Sequence, residues 1–276
     1  MRYARPDTLT QAIALRAQGL RVLAGGTDLY PGAGDQLSGD VLDLTALTAL
    51  RGITATPDGL RIGACTTWSE IAETPLPPAL TALQQAARQV GGRQVQNAGT
   101  IGGNLCNASP AADGVPPLLA LDAAVELAGA DGMRSLPLSD FLLGPRRTAL
   151  QPGEIMAAVV IPATALTGRS TFVKLGARAH LVISIAMVAA RISLEQGRIV
   201  QSALAVGACG PVATRLPLDL AGLTPAQAVD RITPDTMGPF LSPLDDIRAS
   251  AAYRVQAAAE LLRRAVTDIA KAGAAA

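Results

Sequence analysis

A chain of 276 residues, 49% hydrophobic and 16% charged, is long enough for two ordinary domains and apolar enough to close a core, which excludes a disordered polypeptide. Aromatic residues make up only 3%, so that core must be built from Ala, Leu, Val and Ile. A formal net charge of +1 offers no basic footprint for nucleic acid, and no apolar run reaches the roughly 18 residues of a membrane span.

Met1 to Asp7 lack the apolar stretch of an export signal, so a cytoplasmic protein is expected. Thr8 or Thr10 caps a predicted helix running to about Gln18, with Gly19 as its stop. Leu20-Arg21-Val22-Leu23-Ala24 reads as a short buried strand leading into Gly25-Gly26-Thr27-Asp28-Leu29, and Val41-Leu42-Asp43 reads as another. Together these make a small α/β unit. Arg51 to Thr56 and Leu60 to Ala64 flank the turn Pro57-Asp58-Gly59 as a hairpin. Thr67-Trp68-Ser69-Glu70 matches a capping box, and Pro77 to Val90 is a longer amphipathic helix ending at Gly91-Gly92.

Asn97 to Asp113 follows, with Gly99, Gly102 and Gly103 among small polar residues, and reads as too irregular for a helix. Pro116-Pro117 opens an apolar stretch to Leu121, Ala124 to Leu127 is a strand, and Asp131-Gly132 is a hairpin turn. Ile155 to Ile161 is strand-like and ends at Pro162, after which Thr164 to Gly168 reads as a linker. Beyond it lie the apolar runs Val182 to Leu194 and Ile199 to Val206 around Gln196-Gly197. A short helix near Pro225 to Val229 and a long one from about Ser250 to Lys271 complete the chain, with a frayed Ala-rich tail after Gly273. The domain boundary falls near Thr167.

The three cysteines, Cys65, Cys106 and Cys209, share no metal-type spacing and read as buried free thiols. A Cys-ligated iron–sulfur cluster needs about four ligands, so any such centre must sit on another chain. The one histidine, His180, reads as a surface or packing residue, and no nucleophile–base–orienter set is visible. Hydrolytic chemistry is therefore not expected, which turns attention to what the chain could bind.

Two segments are candidates to hold it. In 97–113, Gly102 and Gly103 remove successive Cβ atoms, while Thr100, Asn104, Asn107 and Ser109 offer polar groups beside backbone N–H donors. Such a loop suits a phosphate and a sugar, with Asp113 as acceptor for ribose hydroxyls. The Gly25-Gly26 turn at the end of the Val22 strand has the same character. Either can equally be an ordinary Gly/Asn-rich turn. Neither fits the dinucleotide fingerprint or the P-loop.

The pair Ala24-Gly25-Gly26-Thr27-Asp28 and Thr100-Ile101-Gly102-Gly103-Asn104, followed by Ala108-Ser109-Pro110 and Asp113, resembles the flavin-binding medium subunit of molybdenum hydroxylases of the xanthine dehydrogenase and carbon monoxide dehydrogenase type. The resemblance extends through Gly153-Glu154-Ile155-Met156, Phe172 to Arg178 and Asp246 to Arg254, in matching order and spacing. It implies an α+β chain. An FAD-binding domain of the vanillyl-alcohol-oxidase (PCMH) type spans 1–166, built from two α/β subdomains at about 1–53 and 54–166. A C-terminal α+β domain with an antiparallel sheet and helices spans 167–276.

By matched position, the resemblance implies that Leu23, Ala24, Gly25, Gly26, Thr27, Asp28 and Leu29 wrap the pyrophosphate of a noncovalent FAD. Thr100, Gly103, Asn104, Asn107 and Ser109 form the other wall, and Asp113 meets the ribityl or ribose hydroxyls. Cys106 packs on the isoalloxazine, Met156 lies near it, and Lys174 stabilises charge that develops beside N1 and the C2 carbonyl. A solvated strand-edge lysine is the plain alternative for Lys174. Molybdopterin and 2Fe-2S clusters are implied only on partners, a large molybdopterin subunit and a small iron–sulfur subunit, with electrons leaving the flavin for NAD or another acceptor. One departure stands out. Many relatives continue the first loop with Met-Lys, where this chain has Tyr30-Pro31-Gly32-Ala33-Gly34-Asp35-Gln36. Two other readings stay open: a stand-alone flavin oxidase of the same fold, and an assembly module without FAD.

Overall fold

The computed structural model describes residues 1–34, 37–179 and 181–274; the Asp35-Gln36 end of the first loop, His180 and the last two residues lie outside it. The first unit holds β1 (Tyr3–Ala4), α1 (Leu9–Ala17), β2 (Arg21–Leu23) and β3 (Val41–Asp43). Thr8 caps α1 by accepting from the Gln11 N–H, and Gly19 ends it at a φ of +88°. The strands pair in the order β1-β3-β2, all parallel, and their apolar faces close on α1 through Ala12, Leu20, Leu42 and Leu44.

The second unit starts with the hairpin β4 (Ile53–Thr56) and β5 (Gly59–Gly63). Helices α2 (Trp68–Glu73), α3 (Thr81–Gln89), α4 (Arg93–Ala98), α5 (Ile101–Asn107) and α6 (Val115–Ala120) follow. Then come β6 (Ala124–Gly129), β7 (Gly132–Pro137), α7 (Leu138–Phe141), the small ribbon β8 (Leu142–Gly144) and β9 (Arg147–Thr148), and β10 (Ile155–Pro162). The sheet runs β4-β5-β10-β6-β7 and is antiparallel throughout, so this unit is α+β rather than the α/β unit expected. Trp68, fully buried under α5 and α6, is the largest side chain of its core. Its helix starts with the anticipated capping box, Thr67 and Glu70 satisfying each other's backbone N–H groups.

Three expectations change here. Asn97 and Ala98 end α4 and 101–107 form α5, with only Gly99 and Thr100 extended between them; the Pro116-Pro117 stretch is α6 with its prolines in the first turn, and 163–165 form a single 3-10 turn rather than an open linker. Proline is tolerated at a helix start because the N–H it lacks would be unpaired there.

The last unit is an antiparallel sheet, β11 (Arg169–Leu175), β12 (Ala186–Glu195), β13 (Arg198–Gly207) and β14 (Thr214–Leu216), in that order. One face packs on α8 (Pro225–Arg231), α9 (Pro234–Met237) and the long α10 (Ala251–Ala274). The Asp246–Arg254 motif anchors α10. Arg254 donates to the Ile185 and Ala208 carbonyls and to Asp246, whose carboxyl is pulled down to about 2, chiefly by the Arg248 N–H with help from the Arg254 and Arg248 guanidiniums.

The other face of this sheet meets α3 and α6 through Phe172, Met187 and a set of small alanines. Polar contacts register the joint. Ser170 accepts from the Ala82 N–H, Gln85 accepts from the Thr171 hydroxyl and the Phe172 N–H, and Arg191 donates to the Ala120 carbonyl. Lys174 Nζ lies 2.7 Å from Asp113 Oδ2, both side chains at most 9% exposed, and Ser184 donates to the other carboxylate oxygen at 2.9 Å. Burial dominates and pushes the Asp113 carboxyl above its ordinary range, with Lys174 and Ser184 opposing it.

Lys174→Met therefore strands a buried carboxylate and should cost about 3–5 kcal/mol in urea unfolding. Adding Asp113→Leu should recover most of that loss, because the charged partner then goes too. Equal destabilisation by the single and double variants would show that the pair does not join the units.

Candidate functional site

Two backbone segments press together at the centre of the N-terminal region. A Cβ on Gly25 would sit 2.1 Å from the Ala98 carbonyl oxygen and 2.7 Å from Gly99 Cα, so only glycine lets the 24–29 loop lie against the α4–α5 junction. Gly26 then turns at a φ of +70° under the Tyr30 ring. Leu23 ends a strand, and its carbonyl still accepts from the Leu44 N–H, so the ladder stops just before the loop. Among the described residues, the N–H groups of Gly25, Gly26, Thr27, Asp28 and Leu29 donate no hydrogen bond. Five consecutive free donors in a turn form a concavity for an anion.

The opposite segment supplies something other than the donors expected of it. Thr100 caps α5, accepting from the Gly103 N–H at 3.0 Å. Ile101 donates to the Thr66 carbonyl at 3.0 Å, Gly102 to Ala64 at 2.9 Å and Asn104 to Thr100 at 3.0 Å. The first four N–H groups of this helix are all engaged inside the protein, so the phosphate-cradling amides read into 97–113 are not free. Nor is Gly102 bare for a ligand: a Cβ there would meet the Ala64 Cβ at 2.6 Å. Gly103 differs, for its added Cβ would meet only Thr100 Oγ1, at 2.9 Å.

Between the segments lies a cavity of about 710 Å³, within the size range of cofactor sites. Residues 23–29, Thr100, Gly103, Asn104, Cys106, Asn107 and Met156 line it; Ser109, Asp113 and Lys174 do not. Lys174 is neither on this wall nor a solvated edge residue, since its ammonium is committed to Asp113. The buried Asn104 Oδ1 has no partner among the described residues. The free N–H groups along the 24–29 loop suit a ligand with an anionic centre, as FAD has.

Other wall residues carried weaker sequence signals. Trp68 supports the floor, and Glu154 reaches the cavity within the Gly153-Glu154 motif. Arg134 grips Glu154 by two hydrogen bonds, at 2.6 and 2.8 Å, and holds its carboxyl below the ordinary range. That clamp fixes the start of β10 and so the place of Met156. Cys65 and Cys106 also line the wall, and burial pushes their thiols up to about 11 and about 12. Both remain protonated near neutral pH and act as soft apolar surface. Among the described residues no histidine or tyrosine lines the cavity, and no cluster could hold a metal ion.

The family described as the FAD binding domain in molybdopterin dehydrogenase matches residues 1–164, and the CO dehydrogenase flavoprotein C-terminal domain matches 171–269. A putative xanthine dehydrogenase FAD-binding subunit of Escherichia coli is 35% identical over 221 residues, 77% of this chain and 75% of that one. A carbon monoxide dehydrogenase medium chain of Afipia carboxidovorans is 31% identical across 96% of this chain and 94% of its own. In the structure of reconstituted CO dehydrogenase from Oligotropha carboxidovorans, a chain 26% identical superposes with a TM-score of 0.89 over 98% of both.

Gly103→Val should abolish FAD uptake, measured by quenching of flavin fluorescence, because a branched side chain enters the cavity and disturbs the Thr100 cap. Gly103→Ala should weaken uptake less. Wild-type uptake by Gly103→Val would remove this cavity as the site.

Proposed function

The chain belongs to the FAD-binding medium subunits of the xanthine dehydrogenase and carbon monoxide dehydrogenase family, and on that premise we propose how it holds its cofactor and where the electrons go. The free N–H groups of 25–29 take the pyrophosphate. Cys106 and Met156 give the ring a soft, dry wall, with Asn104 beside them on the same wall. Thr100 keeps α5 in place, and Asn107 steadies the loop by donating to Asp28 Oδ1 at 3.1 Å. Asp113 and Lys174 serve from outside the wall, by fastening the C-terminal sheet beside it.

FAD, when bound, supplies a ring that takes up electrons singly or as a pair and passes them on. The protein's own task is then binding, orientation and exclusion of water, for which no acid or base of this chain is required. Electrons arrive from iron–sulfur clusters of a small partner subunit, after substrate oxidation at molybdopterin in a large one, and leave for NAD or another acceptor. A cytoplasmic complex suits the near-neutral charge, and no helix among the described residues is long and apolar enough to cross a membrane.

One observation carries this reading: among the described residues, five consecutive backbone donors without a partner line a cofactor-sized cavity. The purified chain should be yellow, should release its flavin to the supernatant on acid denaturation, and should leave purines and aldehydes unoxidised until the partner subunits are added. Substrate turnover by the isolated chain would contradict the relay and favour an oxidase; colour retained on the precipitate would contradict noncovalent binding.

A further inference from the structure

The rim of the cavity carries a string of polar contacts that crosses three segments. Asn107, the last residue of α5, donates to Asp28 on the 24–29 loop and accepts from the guanidinium of Arg146. Arg146 lies in the tight turn between β8 and β9, lines the cavity, and has a φ of +59°. Its N–H donates at 2.9 Å to the carbonyl of Ala108, itself at a φ of +47°. A side-chain-bearing residue is strained in that region, and glycine would not be. The turn thus keeps a long cationic side chain where backbone geometry alone favours none.

Electrostatics gives that side chain a task. The 24–29 loop brings five free N–H groups but also the carboxylate of Asp28, and the next residues, Tyr30-Pro31-Gly32-Ala33-Gly34, bring no cation. A pyrophosphate carries negative charge that Asp28 repels. Two more arginines are on the wall: Arg16 has its guanidinium on the Glu154 and Leu20 carbonyls, and Arg21 stands at the start of β2, the strand that leads into the loop. Arg146 is the arginine tied by Asn107 to the rim where Asp28 sits. Its present acceptor there is a neutral amide oxygen. Exchanging that for a phosphate oxygen gives a charge-assisted bond about twice as strong, in the forked geometry that suits guanidinium.

We infer that Arg146 is the phosphate clasp of this site. It engages the pyrophosphate of the dinucleotide seated on the 24–29 loop, supplies the charge that loop lacks, and governs how long the cofactor stays. The inference rests on the reading of the cavity as the FAD site. Arg146→Gly relieves the backbone strain while removing the cation, so the two roles of the residue move different observables.

The test uses the full chain loaded with FAD, and follows release by recovery of flavin fluorescence after dilution. Arg146→Gly should release FAD about 10- to 100-fold faster, the scale of a lost hydrogen bond to a charged group. Its melting temperature without flavin should be unchanged or higher. Release from the wild type should accelerate with salt more steeply than release from Arg146→Gly, and Arg146→Lys should fall between the two. Release from Arg146→Gly at the wild-type rate would overturn the clasp alone. So would a fall in melting temperature with equal loss of FAD in the glycine and lysine variants, which marks a structural role. A wild-type chain that takes up no FAD would instead overturn the cavity reading, and the clasp with it.

Discussion

The contact between Gly25 and the Ala98–Gly99 backbone is the constraint on which the site depends. With no side chain at 25, the loop after β2 rests on the junction of α4 and α5, and main chain touches main chain. Two consequences follow from that approach. The loop leaves the strand ladder after Leu23, and among the described residues the N–H groups of 25–29 stay unengaged. The two segments also touch on one side and diverge on the other, which opens the cavity between them. A larger residue at 25 would separate the walls, and the fixed geometry of the donors would be lost.

The C-terminal sheet supports this arrangement from outside. Its contact with α3 and α6 is mostly alanine, which packs closely but gives little register by shape. Register comes instead from directional contacts such as Gln85 with Thr171 and Phe172, and above all from the Lys174–Asp113 pair. Asp113 lies between α5 and α6, in the stretch that turns the chain from the cavity wall toward the sheet. A buried ion pair is costly to break from one side, so it serves well as a joint that must not slide. Cofactor wall and C-terminal sheet are therefore held together as one unit.

Much of this was legible in the residues. Caps at Thr8 and Thr67, the hairpins at Pro57-Asp58-Gly59, Asp131-Gly132 and Gln196-Gly197, and the long terminal helix all carry local chemistry that tertiary contacts do not override. The helix α5 was hidden because Gly102 and Gly103 have poor helix propensity, while its stability comes from Thr100 and from packing on Ala64, 38 residues before Gly102 in the chain. For the same reason the sequence offers donors on both segments, whereas among the described residues the 24–29 loop keeps them free and α5 does not. Lys174 and Asp113 are 61 residues apart, and no local pattern pairs them. Arg146 was overlooked because it occupies a turn with no glycine where the backbone is left-handed, and only the fold brings it to the rim.

We propose above all that the 24–29 loop recognises the pyrophosphate of a dinucleotide flavin. Calorimetric titration of the flavin-free chain with FAD and with riboflavin tests it most directly, because the two share the ring and differ in the phosphates and adenosine. FAD is expected to bind with one-to-one stoichiometry and riboflavin far more weakly, with the difference narrowing as salt screens the phosphates. Equal affinity for the two flavins would contradict the assignment of the loop.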